Sequence, residues 1–270
     1  MLATTTPSLP ALIGLIAGWY LVLPLIVRSK LPRGKAWVTE PFDPARHHTS
    51  LELSDFLRVN VARLADAGFQ QVGDLVHHSS MTTTRVALLT HPDGVMATVV
   101  VLSRERTIPG KLPVTVMQVE FTAVMTTGTV LDVNNSPSLP IFAARPDHVV
   151  YRLPQVRDPL RLYRIYQVLL QRSFSSATLA QQDASDPVQY LKRATEREYR
   201  RQLGTGYYRY DEQTDSYILT LKGAYLAAWK LMIPFRWIRA ELFARKSRAL
   251  MREIGMMREE SSSPALERRA

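Results

Sequence analysis

Nineteen successive residues, Leu9 to Val27, carry no charged side chain, and Arg28, Lys30, Arg33 and Lys35 follow at once. As a helix rising 1.5 Å per residue, such a run nearly matches the roughly 30 Å hydrocarbon core of a bilayer. Its Leu, Ile and Val residues together favour insertion by about 3 to 6 kcal/mol, less what two glycines and two prolines remove. Pro10 sits at the start, where a missing N–H does no harm, and Pro24 falls within the last turn or so. A cleaved signal peptide would need a basic n-region, a shorter apolar core and a small-residue cleavage site. Here the n-region has no basic side chain, the core is too long and basic residues follow it, so the run reads as a signal anchor of the bacterial inner-membrane kind: a transmembrane helix over 9–27 after a short extracytoplasmic N-terminus, 1–8. Basic residues on the C-terminal side alone place the N-terminus outside and the body in the cytoplasm. Gly14 and Gly18 have the GxxxG spacing that lets two helices approach, which points to a homodimer through this helix.

About 240 residues follow, enough for one good domain or two small ones. The chain has no cysteine, which excludes a disulfide framework and any thiolate site. Formal net charge is +10, with a pI near 10.0. The basic excess gathers behind the apolar run and in the last third. Anionic lipid headgroups are the first partner this implies, with an unknown protein partner beside them and nucleic acid last.

The expected fold class is α+β: the transmembrane helix, an antiparallel-sheet domain packed with helices, and a helical C-terminal third. Residues 28–50 read as a basic juxtamembrane linker and 51–155 as the sheet domain. Leu53, Leu57, Val61 and Leu64 line one face of a helix from about Leu51 to Ala67, capped by Ser50 or Ser54 and stopped by Gly68. His91-Pro92-Asp93-Gly94 reads as a hairpin turn. Val114 to Met125 alternates with a period of two, the mark of a half-buried antiparallel strand.

Residues 156–222 are expected to be helical with a hairpin. Asp158-Pro159 and Asp186-Pro187 are start signals, the Asp capping and the Pro in the first turn. Glu196 and Arg200 are four apart and can pair. The basic helix from Pro187 to Leu203, followed by a hairpin over Tyr207 to Thr220, resembles the recognition helix and wing of winged-helix DNA-binding domains. The resemblance covers about Asp186 to Lys222, and it implies DNA binding by that segment. Only one preceding helix is visible where the motif needs two.

Residues 223–257 read as one basic amphipathic helix. Lys230 and Arg236, at about 2.5 to 3.5 kcal/mol each, outweigh the apolar residues of its first half, so a second span is excluded. Trp229, Ile233 and Trp237 share one face at four-residue spacing, and Arg239, Arg245, Lys246, Arg248 and Arg252 follow. This is the pattern of a helix in a lipid interface, with a core helix as its rival. Residues 258–270 read as a disordered tail. The residues expected to contact lipid are therefore Arg28, Lys30, Arg33, Lys35, Trp229, Trp237, Arg239, Arg245 and Lys246.

No motif announces catalysis. HExxH, GxSxG, GxGxxG and the P-loop are absent. Neighbouring histidines on a strand point to opposite faces, so neither His47-His48 nor His77-His78 chelates alone. No catalytic, cofactor or metal residue is assigned, and no cofactor is expected. Glu120 and Asp132 lie on candidate neighbouring strands; ordinary alternation makes them solvent-facing. The leading role is a non-enzymatic scaffold, adaptor or partner-binding module at the membrane. An enzyme would require a deep pocket lined by Glu120, Asp132 and a histidine.

Overall fold

The computed structural model describes residues 8–30, 38–47, 49–78, 82–104, 116–138, 140 and 142–255. It contains helices α1 (Leu9–Lys30), α2 (Leu51–Asp66), α3 (Pro159–Phe174), α4 (Pro187–Leu203), α5 (Leu221–Leu231) and α6 (Phe235–Glu253). Strands β1 (Val38–Pro41), β2 (Gln70–His78), β3 (Thr82–Thr90), β4 (Met96–Arg104), β5 (Val116–Val124), β6 (Val130–Asn134) and β7 (His148–Arg152) form one sheet in sequence order. Strands β8 (Tyr208–Asp211) and β9 (Ser216–Leu219) make a separate hairpin.

Pairing is antiparallel from β1 to β6, but β7 runs parallel to β6, so the sheet is mixed rather than antiparallel throughout. The excursion between β6 and β7 carries the chain back to the same end of the sheet, which a tight hairpin cannot do. The first strand lies inside what reads in sequence as linker.

Local rules place most boundaries. Ser50 accepts the Leu53 N–H, Asp158 that of Leu160 and Asp186 that of Gln189, each a side-chain cap on an otherwise orphan donor. Gly68, at φ 90°, lets the chain leave α2 in the left-handed region.

One face of the sheet carries the main core. Ala97, Val99, Val119, Phe121, Leu131 and Val133 pack against Leu57 and Leu64 of α2 and Leu162, Ile165 and Tyr166 of α3. On the other face lies α4. Its Pro187 ring sits so close to Gly73 that a Cβ there would lie 2.7 Å from it. Leu88 and Met96 meet Ala184 and Tyr190 on the same side. A smaller cluster joins Tyr207, Tyr208, Tyr217 and Leu219 of the hairpin region to Ala224 of α5.

The apolar run does fold as a helix, α1. Among the described residues, however, no helix is long and apolar enough to cross a membrane. This overturns the N-terminal transmembrane helix, the single-pass and signal-anchor reading, and the cell-membrane location with its inside and outside. The run instead lies along α5. The Tyr225 hydroxyl donates to the Leu21 carbonyl at 2.9 Å, Trp229 Nε1 to the Tyr20 carbonyl at 3.3 Å, and Arg28 Nε to the Leu219 carbonyl at 3.2 Å. Pro24 is buried. Hydropathy counts apolar side chains and is blind to the neighbour that covers them.

Candidate binding face and a half-buried ionisable cluster

Residues 223–257 do not form one helix. Pro234 has no N–H to continue the ladder, and Met232 turns extended at φ −84°, ψ 148°, so α5 ends and α6 begins afresh. Trp229, Ile233 and Trp237 therefore do not share a single helix. Ala224, Ala227 and Ala228 are buried, and α5 touches both α1 and α6.

What these three helices leave uncovered is large and apolar. Trp19, Leu21, Val22, Leu25 and Ile26 are exposed on α1, and Trp229 and Ile233 at α5 and its end. Phe235, Trp237, Ile238 and Leu242 are exposed on α6, Trp237 at 64%. The second half of α6 is anchored through buried Ser247 and Met251. Soluble monomers rarely expose contiguous apolar patches beyond a few hundred Å² without a use for them.

The basic residues assigned to lipid divide in three. Lys246 is exposed, as is Arg236, which the sequence did not single out. Arg239 is turned inward: it donates to the Lys230 and Pro140 carbonyls at 3.4 and 3.5 Å, and Arg28 holds Leu219. Arg245 is exposed but shares Glu241 with Arg248, at 2.8 and 3.3 Å. Lys30 ends α1; Arg33 and Lys35, like the tail from 258, lie outside the described residues. A Cβ on Gly14 or Gly18 would meet nothing within 4 Å, so that face of α1 is open.

No family model, curated protein or solved structure matches this chain.

Behind the sheet, β5, β6 and β7 present a row of ionisable groups to the α4 side. Asp132 accepts from the Thr122 hydroxyl at 2.6 Å and lies 2.5 Å from His148 Nε2. Asn134 donates to Glu120 at 2.9 Å. Glu198 of α4 lies 3.8 Å from His148 Nδ1 and is held by Arg145 at 3.2 Å and by Gln202 at 2.8 Å. Burial, and then the Asp132 charge, push the Glu120 carboxyl up to about 7. Burial pulls His148 down, but its hydrogen bond to Asp132 and the Asp132 and Glu198 charges outweigh that and leave it raised.

The expected pair of solvent-facing carboxylates is thus half-buried and hydrogen-bonded, with a histidine beside it. Glu198, Arg145 and Arg152 complete the cluster, and no sequence spacing announces them, because they arrive from distant segments. The cavity between α4 and the 180–183 segment is lined by none of Glu120, Asp132 and His148.

A second polar group sits at the β1 edge. His77 and His78 do point to opposite faces: His77 bonds Thr39 at 2.9 Å, and His78 bonds Thr83 at 3.1 Å. His78 and His47 converge on Glu40, their three ligand atoms lying within 4.8 Å of one another. Only the His47–Glu40 contact of the three is a hydrogen bond; His78 Nε2 stands 3.9 Å from the Glu40 carboxylate. The Asp43 N–H donates to His47 Nδ1 at 3.0 Å, so the ring proton is on Nε2, which donates to Glu40 at 2.9 Å. The His47 hydrogen bond holds the Glu40 carboxyl below its usual range.

Proposed function

We propose that this chain is a non-enzymatic binding module that docks through the α1–α5–α6 face onto an anionic lipid surface. The observation that carries the reading is the set of exposed Trp19, Trp229, Phe235, Trp237 and Ile238 beside Arg236, Arg245 and Lys246. Fully burying a large apolar side chain gains about 1.5 to 3 kcal/mol, and each basic residue near an anionic surface adds about 1 kcal/mol. Contact is from one side, in the manner of an interfacial helix, and nothing crosses the lipid. The half-free start of α6 is suited to this, since its apolar and basic side chains do not serve the core.

The test is flotation of the full chain with vesicles of phosphatidylglycerol and phosphatidylcholine, against phosphatidylcholine alone. Binding is expected to the anionic vesicles, to weaken in 0.5 M salt, and to fall on Trp237→Ala and further on Ile238→Asp. Absence of binding to anionic vesicles overturns the reading. So does a stable dimer in sedimentation that Ile238→Asp dissociates, which would make a second copy the occupant of this face.

A further inference from the structure

Between α4 and the chain from Ala180 to Asp183 lies a half-open cavity of about 380 Å³, within the size range of small-molecule sites. Val124 and Ala180 give it an apolar wall. Arg193 and Arg197 line it one helical turn apart, and among the described residues neither has a carboxylate within ion-pair distance. The other charges at the rim are already engaged. Arg200 is paired with Glu196 at 3.0 Å, and Asp183 accepts from the Ser185 N–H at 3.0 Å and hydroxyl at 2.6 Å and also feels the Arg193 charge.

From these features we infer that the cavity binds the phosphoryl group of a small organic molecule. The two guanidinium groups bring positive charge to one wall, and their planar forks match phosphate oxygens. The wall of Val124 and Ala180 would face the organic remainder. This site is separate from the α1–α5–α6 face and does not rest on the lipid reading.

The experiment is a calorimetric titration of the full chain with inorganic phosphate, at ionic strength matched with chloride. Saturable binding is expected, weakened about tenfold by Arg193→Gln or Arg197→Gln, the loss of one charge-assisted contact. Arg209→Gln, which removes the same charge from the exposed hairpin, should leave it unchanged. All three positions are exposed, so circular dichroism of the variants should match the parent. No saturable phosphate binding, or equal weakening by Arg209→Gln, overturns the site. Glycerol phosphate against a soluble short-chain phosphatidate then identifies the source. The compound that binds tighter with the same arginine dependence separates a free phosphoryl metabolite from a lipid headgroup, and tighter binding that ignores both arginines counts against the site.

Discussion

Glu120 shows how one side chain can set the pH response of the whole fold. Its carboxyl is ordinarily half-ionised near 4.5 and in the fold near 7, because burial and Asp132 disfavour its charge. The folded state therefore holds a proton that the unfolded chain has released between those two values. Stability falls as pH rises through this window and levels off above it. His148 acts with the same sign: its charged form is favoured by Asp132, so its contribution is complete below about 6.5 and lost as pH rises through its raised value. Glu120→Gln keeps an acceptor for Asn134 and removes the charge. It is expected to stabilise the protein above pH 7 by something of the order of 2 kcal/mol and to have little effect near pH 4.5. Urea unfolding across pH 4.5 to 8.5 checks this; an unchanged slope with pH in the variant would remove Glu120 from the account. Alternation in sequence put Glu120 and Asp132 on one face of neighbouring strands. It had no means of supplying Glu198 or Arg145, which reach the cluster through tertiary structure alone.

Elements were legible where a local rule governs them. The Ser50, Asp158 and Asp186 caps, the turn at His91 to Gly94, the pairing of Glu196 with Arg200 and the alternation of β5 all follow from side chains within a few residues of each other. Elements defined by remote partners were not. The first strand is short and borrows its register from β2, β7 joins β6 in parallel, and α1 takes its place from α5. The start of α5 depends on close approach. Gly223 lies under the Tyr207 carbonyl, and a Cβ there would come within 2.2 Å of that oxygen, with backbone on both sides. Gly223→Ala must move the hairpin or the helix, and a loss of about 2 to 4 kcal/mol is expected, in the range of overpacked sites. Thermal unfolding measures it. A loss below 1 kcal/mol would mean that α5 shifts freely against the hairpin.

At the scale of the molecule, the sheet is sandwiched between α2 and α3 on one side and α4 on the other, while α1, α5 and the start of α6 form an outlying layer. Amides in the middle of β3, β4 and β5 sit under the main core and should exchange with solvent only on global unfolding. Those of β1 and of the β8–β9 hairpin should exchange earlier through local opening. Hydrogen exchange read by mass spectrometry tests the order, and early exchange in β4 would contradict it. The same separation of layers explains the misreading of the N-terminus. A helix outside the main core keeps its apolar character on view, so its sequence alone cannot distinguish a lipid neighbour from a helical one.

Among the described residues, both margins of the sheet are poor templates for a further strand. The β1 side ends after four residues at Pro41, which offers no N–H, and beside β7 runs α6, where Gln155 and Ser247 exchange hydrogen bonds at 2.6 and 3.0 Å. A long naked edge is what lets one molecule template another into fibrils or amorphous aggregates. In this protein self-recruitment through the sheet is disfavoured, so crowding or concentration should drive association through the helices and leave the strands as they are.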